Sequence, residues 1–194
     1  MTDLRLQVLA SGLATPHDTD DAPALTGFIE SEFNPLVHRV AWQCLSGRDL
    51  DGARTAVVLA SRFGDATTAD VASRQLVAGR VHNALLFMQA TANAILGHVS
   101  LQFSLTGPLM SLSANDSADE LLSVADLLLD DGDVDHVLLI NVELAAGDRV
   151  EAVCAELGST PPSEDRAAGV LVSRGAEPLA DHRRLLDLTP GVLR

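Results

Sequence analysis

Two mostly apolar segments constrain the fold more than any other feature of the sequence. TAVVLASRF occupies residues 55–63, and HVLLINVEL occupies residues 136–144. Their β-branched residues favour strands, and a strand without a polar alternation is typical of one covered on both faces. Helices on both sides of a sheet provide such cover, so the sequence predicts an α/β fold.

The remaining segments alternate between helix and strand signals. Apolar residues at helical spacing, ended by Gly or by Gly107-Pro108, predict helices over residues 33–47, 66–79, 90–103 and 117–132. We predict strands at 4–12, 109–113 and the end of 163–174, and a loop at about 18–32. This order implies a mostly parallel mixed sheet flanked by helices.

No Asp, Glu, Lys or Arg occurs in the 35 residues from Val81 to Asn115. Two histidines, several amides and hydroxyls, and Gly107-Pro108 make the segment too polar to lie in lipid. We therefore predict a segment buried on all sides in protein, with a partner subunit completing the cover. A charge introduced at Val99 or Leu101 should disturb that interface.

The chain has 194 residues, 47% of them hydrophobic, which suggests one domain with a sizeable core. Its net charge is −14, and this excludes nucleic acid and an anionic membrane surface as partners. The same charge makes the surface a poor dock for an acidic carrier protein. Only Cys44 and Cys154 occur and nothing resembles a signal peptide, so we expect a reduced, cytoplasmic protein.

Residues 91–116, TANAILGHVSLQFSLTGPLMSLSAND, resemble the segment of β-ketoacyl synthases that leads to the nucleophilic cysteine. In that family an Asn, a Gly and a "ser-x-x-x-gly-leu-x-gly-pro" run precede a short strand, and the cysteine stands nine residues after the Gly of Gly-Pro. Here Asp116 stands nine residues after Gly107. A carboxylate cannot hold an acyl thioester, so the resemblance implies a ketosynthase that has lost its nucleophile.

Further segments resemble the same family across residues 55–174. GDVDHVLLINVE is similar to the family's "gly-x-x-asp-x-x-leu-x-gly-gly-x-glu" strand, with Ile140-Asn141 in place of the glycine pair, and AAGVLVSR is similar to a later strand. The resemblance implies the N-terminal half of a thiolase-like fold over residues 1–175, with a C-terminal extension over 176–194. Phe63-Gly64-Asp65 and Val81-His82-Asn83-Ala84 also resemble short ketosynthase-like subunits of aryl-polyene-type clusters.

Two histidines of the family's C-terminal half, in "his-gly-thr" and "asn-his-x-phe-gly" motifs, hold the thioester oxyanion. The six histidines of this chain lie in other contexts. We therefore expect no condensation by this chain alone.

Several residues allow a structural and a functional interpretation. Asp116 could retain some chemistry, or could be an ordinary acid at a helix N-terminus, before a capping box formed by Ser117 and Glu120. His82 could act as a base or belong to a buried turn, and His98 is expected to be an interface histidine. No cluster has metal-ligand spacing and no phosphate loop is present, so we expect no metal and no cofactor.

The resemblance also implies a segment that lines the acyl tunnel of the neighbouring subunit at the dimer interface. The candidate tunnel and interface residues are Leu86, Phe87, Met88, Ala90, Thr91, Asn93 and His98. Plain core packing would explain the apolar ones equally well.

The sequence thus predicts a non-catalytic, truncated ketosynthase-like subunit, similar to a chain length factor, in polyketide or fatty-acid-type biosynthesis. It would pair with a full-length ketosynthase as a heterodimer, or with itself, and would meet an acyl carrier protein only through the partner. One alternative is a repurposed enzyme for acyl transfer or thioester hydrolysis that uses Asp116 or His82. Another is a self-associating structural protein. A neighbouring gene for a complete ketosynthase would favour the first hypothesis.

Overall fold

The structure is a computed structural model that describes residues 5–19, 21–28, 30–80, 84–115, 117–175, 177–178 and 183–188. Six strands form one sheet in the order β3-β2-β4-β5-β1-β6. The strands are β1 Arg5–Ala14, β2 Thr55–Ser61, β3 Leu109–Ser113, β4 His136–Glu143, β5 Arg166–Arg174 and β6 Glu177–Pro178. The helices are α1 Phe33–Leu45, α2 Ala66–Val77, α3 Ala84–Gln89, α4 Ala92–Phe103, α5 Ser117–Asp130, α6 Asp148–Leu157 and α7 Arg183–Leu186.

The α/β class and the mixed sheet are confirmed. β2 pairs in parallel with β3 on one side and with β4 on the other. β5 pairs antiparallel with both β4 and β1, and β1 pairs antiparallel with β6. Parallel pairing is thus confined to three strands, and the antiparallel part of the sheet is larger than the sequence pattern predicted.

Helices cover both faces of the sheet and create two hydrophobic cores. On one face, α1 and α4 pack over the side chains of Val57, Leu59 and Ile140. On the other face, α5 and the short α7 pack over Val58, Leu139 and neighbouring strand residues. Every residue of β2 is buried, which explains why its sequence shows no polar alternation. The central strands therefore lie between two layers of helices.

The observed elements differ from the predicted ones at some ends. The predicted helix 90–103 begins at Ala92, and a separate helix, α3, precedes it. Helix α6 was not predicted, because only Val150 and Cys154 among its residues are buried. In the described parts of the chain, no helix has both the length and the apolar character needed to cross a bilayer.

The predicted capping box at the start of α5 is wrong. Ser117 is already the first helical residue, and its hydroxyl group contacts the Ala114 carbonyl oxygen at 3.4 Å. The residue before Ser117 lies outside the described residues.

Candidate functional site

The turn between α4 and β3 determines how the chain approaches position 116. Helix α4 ends at Phe103 and is capped by Ser104, whose φ of 55° and ψ of 37° are left-handed. The Gly107 amide then donates to the Gly52 carbonyl oxygen at 2.9 Å. A Cβ atom on Gly107 would lie 2.4 Å from the Thr55 carbonyl oxygen, so only glycine fits this close approach. The Gly-Pro of the sequence pattern is therefore fixed by backbone packing.

Asp116, the residue at the predicted nucleophile position, lies outside the described residues, as does His82. The neighbours of Asp116 in the sequence, Asn115 and Ser117, are both described and line one cavity. The connection from β3 to α5 therefore contributes to this cavity through these two described residues.

The cavity has a volume of about 410 Å³ and lies at the carboxyl ends of β2 and β4. Ligands of α/β proteins commonly bind at that edge of the sheet. Polar residues from β4, from the β2–α2 connection and from the α6–β5 connection line it together with apolar ones, among them Arg62, Asn141, Glu143, Thr160, Pro161 and Arg166.

Glu143 is the most perturbed acid of this cavity. Its carboxylate accepts a hydrogen bond from the Arg62 backbone N–H at 2.6 Å. Burial raises the pKa of Glu143 from 4.5 to about 7, although this bond and the Arg62 charge oppose the shift. A carboxyl group of this kind changes its charge near neutral pH, which is a property of many functional sites.

The Arg62 guanidinium forms one hydrogen bond with the part of the chain that the structure describes. It donates to the Asn115 carbonyl oxygen at 3.2 Å and lies 5.9 Å from the centroid of the Phe63 ring. Among the described residues it forms no ion pair within 4 Å. A guanidinium carries five N–H donors, so several can bond a ligand.

Asn141 is a second unusual residue, because it lies in the buried strand β4 and is only 5% exposed. Its side-chain amide N–H donates to the Leu186 carbonyl oxygen of α7 at 2.8 Å. Its Oδ1 atom is buried and has no hydrogen-bond partner among the described residues. A buried acceptor without a partner is costly, which makes Asn141 a candidate for ligand binding.

The uncharged segment forms a second candidate site on another part of the molecule. It is partly exposed in the single chain, and its cover by a partner subunit stays a prediction. Leu101 on α4 is 85% exposed, Met88 on α3 is 65% exposed, and Leu109 on the edge strand β3 is 38% exposed. We call the exposed side of α3, α4 and β3 the uncharged face.

The structure places the candidate tunnel residues in different surroundings. Leu86 is buried in its own subunit, Met88, Thr91 and Asn93 are exposed, and Ala90 is half-buried. The side chain of Phe87 lies outside the described residues.

Hydrogen bonds hold the parts of the uncharged face together. The Asn93 Oδ1 atom accepts a bond from the Ser111 hydroxyl at 2.9 Å, which links α4 to β3. The Thr91 hydroxyl donates to the Met88 carbonyl oxygen at 2.8 Å. Val99 is fully buried, so it faces the core, and only Leu101 of the two proposed positions can report on an interface.

His98 is half-buried and packs against other rings. Its ring centroid lies 5.4 Å from that of His38 and 6.3 Å from that of Phe28, both in edge-to-face geometry. His38 contacts Gln102 at 2.7 Å. Within the described ranges, no group of three or more His, Cys, Asp or Glu residues could hold a metal ion.

Sequence reasoning missed the cavity residues Arg62, Asn141 and Glu143 as a site. The signal for Asn141 and Glu143 was present, because both are polar residues at the end of an otherwise apolar strand. No local signal connects Arg62 with them, since parallel pairing of β2 and β4 brings distant segments together.

The family model described as "Beta-ketoacyl synthase, N-terminal domain" matches residues 34–176 of this chain. No curated protein sequence matches it significantly.

Solved structures with a similar fold include the ketosynthase ApeO in complex with its chain length factor ApeC from Xenorhabdus doucetiae. The similarity has a TM-score of 0.67 and 17% identity, and covers 89% of this chain and 80% of that one. The ishigamide ketosynthase/chain length factor has a TM-score of 0.67 and 15% identity, covering 90% of this chain and 64% of that one.

A β-ketoacyl synthase from Burkholderia phymatum STM815 is also similar, with a TM-score of 0.64 and 13% identity over 88% of this chain and 59% of that one. This chain therefore spans less than two thirds of the length of the ishigamide protein and of the Burkholderia phymatum protein. At such identities the comparisons establish the fold.

Proposed function

Because this chain belongs to the β-ketoacyl synthase N-terminal domain family, we propose that it is a non-catalytic, ketosynthase-like subunit of the chain-length-factor type. It pairs with a full-length ketosynthase in polyketide or fatty-acid-type biosynthesis. In that complex it stabilises the ketosynthase and helps shape the tunnel for the growing acyl chain. The ketosynthase supplies the nucleophile and contacts the acyl carrier protein.

The observation that carries this proposal is the residue at position 116. Asp116 stands nine residues after Gly107, where the family pattern has its cysteine. A carboxylate is a poor acceptor for an acyl group that must be held as a thioester. These 194 residues also contain neither of the family's histidine motifs, so the proposal assigns the oxyanion donors to the ketosynthase.

The uncharged face supports an interface. Strand β3 lies at one edge of the sheet, where its outer backbone groups can pair with a strand of another subunit. Exposed Leu101 and Leu109 lie on the same segment without any formal charge. On a chain with a net charge of −14, such a face is a suitable surface for a stable protein partner.

The role in the acyl tunnel is proposed for the exposed part of the same face. Met88 is exposed, unbranched and adaptable in shape, so it suits a wall that an acyl chain meets across the interface. Ala90 and Thr91 lie beside it and could widen or narrow that wall. His98 and Asn93 complete the proposed interface, and Leu86 supports it from the core of the subunit.

The division of the chain into a half-domain over residues 1–175 and an extension over 176–194 remains part of the proposal. Within the second part, Leu186 is fully buried against the α5 side of the sheet.

A reconstituted condensation assay tests this function. A full-length ketosynthase that is a candidate partner is incubated with acyl and malonyl carrier-protein thioesters, with and without the chain. We expect product from the pair and little from the ketosynthase alone. The chain alone should give none, and neither should the Asp116→Cys variant, because a cysteine does not restore the oxyanion donors.

Turnover of about 1 per second by the isolated chain would contradict the non-catalytic role, because this is the range of ordinary enzymes. Equal activity of the ketosynthase with and without the chain would contradict the subunit role.

A further inference from the structure

His98 is one of two side chains in the uncharged segment that can gain a charge near neutral pH. Residues 81–115 contain His82 and His98 but no Asp, Glu, Lys, Arg or Cys. Histidine is the side chain whose ordinary charge change falls between pH 5 and 8. The charge of this segment is therefore set by two imidazole rings.

Helix α4 places His98 beside an exposed apolar side chain of the uncharged face. His98 and Leu101 are three residues apart, and residues at this spacing are neighbours on one side of a helix. Leu101 is 85% exposed and His98 is half-buried. A charge on the His98 ring would therefore stand at the edge of the surface that we assign to the partner.

His98 packs against a second histidine that is buried more deeply. Its ring contacts the rings of Phe28 and of His38, and His38 is only 3% exposed and contacts Gln102. A proton on His38 would bury a charge in the core, whereas half-buried His98 is in reach of water. His98 is therefore the better placed of the two rings to accept a proton.

The elements packed against α4 carry little charge that could balance a protonated His98. Helix α3 and strands β2 and β3 contain no Asp, Glu, Lys or Arg. Arg39 of α1 donates to the Thr15 carbonyl oxygen. Among the described residues, no acid of the connection before α1 forms an ion pair with His98; these acids are Asp18, Asp21, Glu30 and Glu32.

We propose that pH controls the pairing through the uncharged face, because the ketosynthase binds this face more tightly when His98 is neutral than when it is protonated. This inference rests on the proposed function. Burying a charged imidazole against an uncharged surface has a desolvation cost that no described counter-charge offsets. The apparent dissociation constant then rises as the neutral fraction of His98 falls.

The overall charge of the chain predicts the opposite trend. Its net charge is −14, so mild acid brings it closer to neutrality and weakens its repulsion of another acidic protein. The pKa of Glu143 is raised to about 7, so this group also loses negative charge in the same pH range. A general charge effect would thus strengthen association with an acidic partner in mild acid, whereas protonation of His98 weakens it.

Sedimentation velocity of this chain with a candidate full-length ketosynthase, at about pH 8 and about pH 5.5, tests the proposal. We expect a dissociation constant about tenfold higher at the lower pH, because an ordinary histidine is mostly charged there. His98→Gln and His98→Asn cannot take up this proton and should remove most of the difference. Circular dichroism checks that every protein is folded at both pH values.

Control variants test the other groups that titrate in this range or lie outside the described residues. His17→Gln is the matched control, since His17 is exposed and lies between β1 and α1, outside the uncharged face. Asp20, His82 and Asp116 lie outside the described residues, so they are replaced by Asn, Gln and Asn in turn. These variants and Glu143→Gln should each keep the tenfold difference.

Three results would overturn this inference alone. They are tighter association at the lower pH, the same pH difference in the folded His98 variants as in the unchanged chain, and loss of the difference in His82→Gln instead. No association at either pH would contradict the proposed pairing itself, and this inference with it.

Discussion

Replacing Leu101 with arginine should separate the subunits without unfolding them. The Leu101 side chain is 85% exposed in the single chain, so nearly all of it can be buried by a partner. Burying a leucine contributes about 2 kcal/mol, and losing that amount alone raises a dissociation constant about 30-fold. A guanidinium placed against an uncharged surface adds a desolvation cost, so the total weakening should exceed this figure.

The fold itself should tolerate the change. Arginine is a good helix former, and a substitution at an exposed helix position usually alters stability by less than about 0.5 kcal/mol. Circular dichroism and thermal unfolding should therefore match those of the unchanged chain. Val99→Arg is not an equivalent variant, because Val99 is fully buried and the charge would enter the core.

Sedimentation velocity over a concentration series measures the association. Leu157→Arg is the matched control, since Leu157 is 69% exposed but lies on α6, outside the uncharged face. We expect Leu101→Arg to weaken the association and Leu157→Arg to leave it unchanged. A folded Leu101→Arg chain that associates normally would refute the interface, and so would equal weakening by both variants.

Three further predictions concern the tunnel, the cavity and the helix end. In the reconstituted complex, Met88→Ala or Phe87→Ala should lengthen the acyl product and Ala90→Phe should shorten it. Overpacking a steric wall costs about 1–3 kcal/mol, whereas burying one methylene contributes only about 0.8 kcal/mol, so the wall decides the length. Unchanged product lengths in mass spectrometry would mean that the subunit is only a scaffold. The pKa of Glu143 is raised from 4.5 to about 7, so the folded state holds the carboxyl proton more tightly than the unfolded state does. Glu143 therefore lowers the free energy of unfolding as the pH rises from 4.5 to about 7, and it has no such effect below pH 4.5. Glu143→Gln should therefore gain at most about 3 kcal/mol over the unchanged chain in urea unfolding above pH 7 but not below pH 4.5, and a difference independent of pH would contradict this. Ser104→Gly should raise the free energy of unfolding by roughly 0.5–1 kcal/mol, because Ser104 has a φ of 55° that glycine adopts freely, and a loss of stability would show that the Ser104 side chain is needed.

The central strands could be predicted because their patterns are local. β2 and β4 consist of apolar, partly β-branched residues without alternation, and both were located to within two residues at each end. Helix α6 shows the opposite case, since two buried residues, Val150 and Cys154, give too weak a pattern. Strand direction is not encoded in hydrophobic spacing, so the antiparallel half of the sheet could not be deduced from it.

The candidate sites were predictable only where one segment forms them. The uncharged face comes from a single run of residues, and the sequence indicated it, but not which side chains face outward. Ile95 and Val99 turn to the core while Leu101 is exposed, and the apolar residues of α4 do not reveal this because they do not all fall on one side of the helix. The cavity combines Arg62, Asn141 and the segment 159–164, which only the folded sheet brings together.

The mass of the complex formed when this chain is co-expressed with a candidate full-length ketosynthase decides whether the two pair. Light scattering on the purified material measures that mass. We predict a heterodimer of one chain of each kind, which Leu101→Arg splits into its subunits and Leu157→Arg leaves intact. A chain that purifies by itself, with the ketosynthase forming its own active homodimer, would contradict the proposed function.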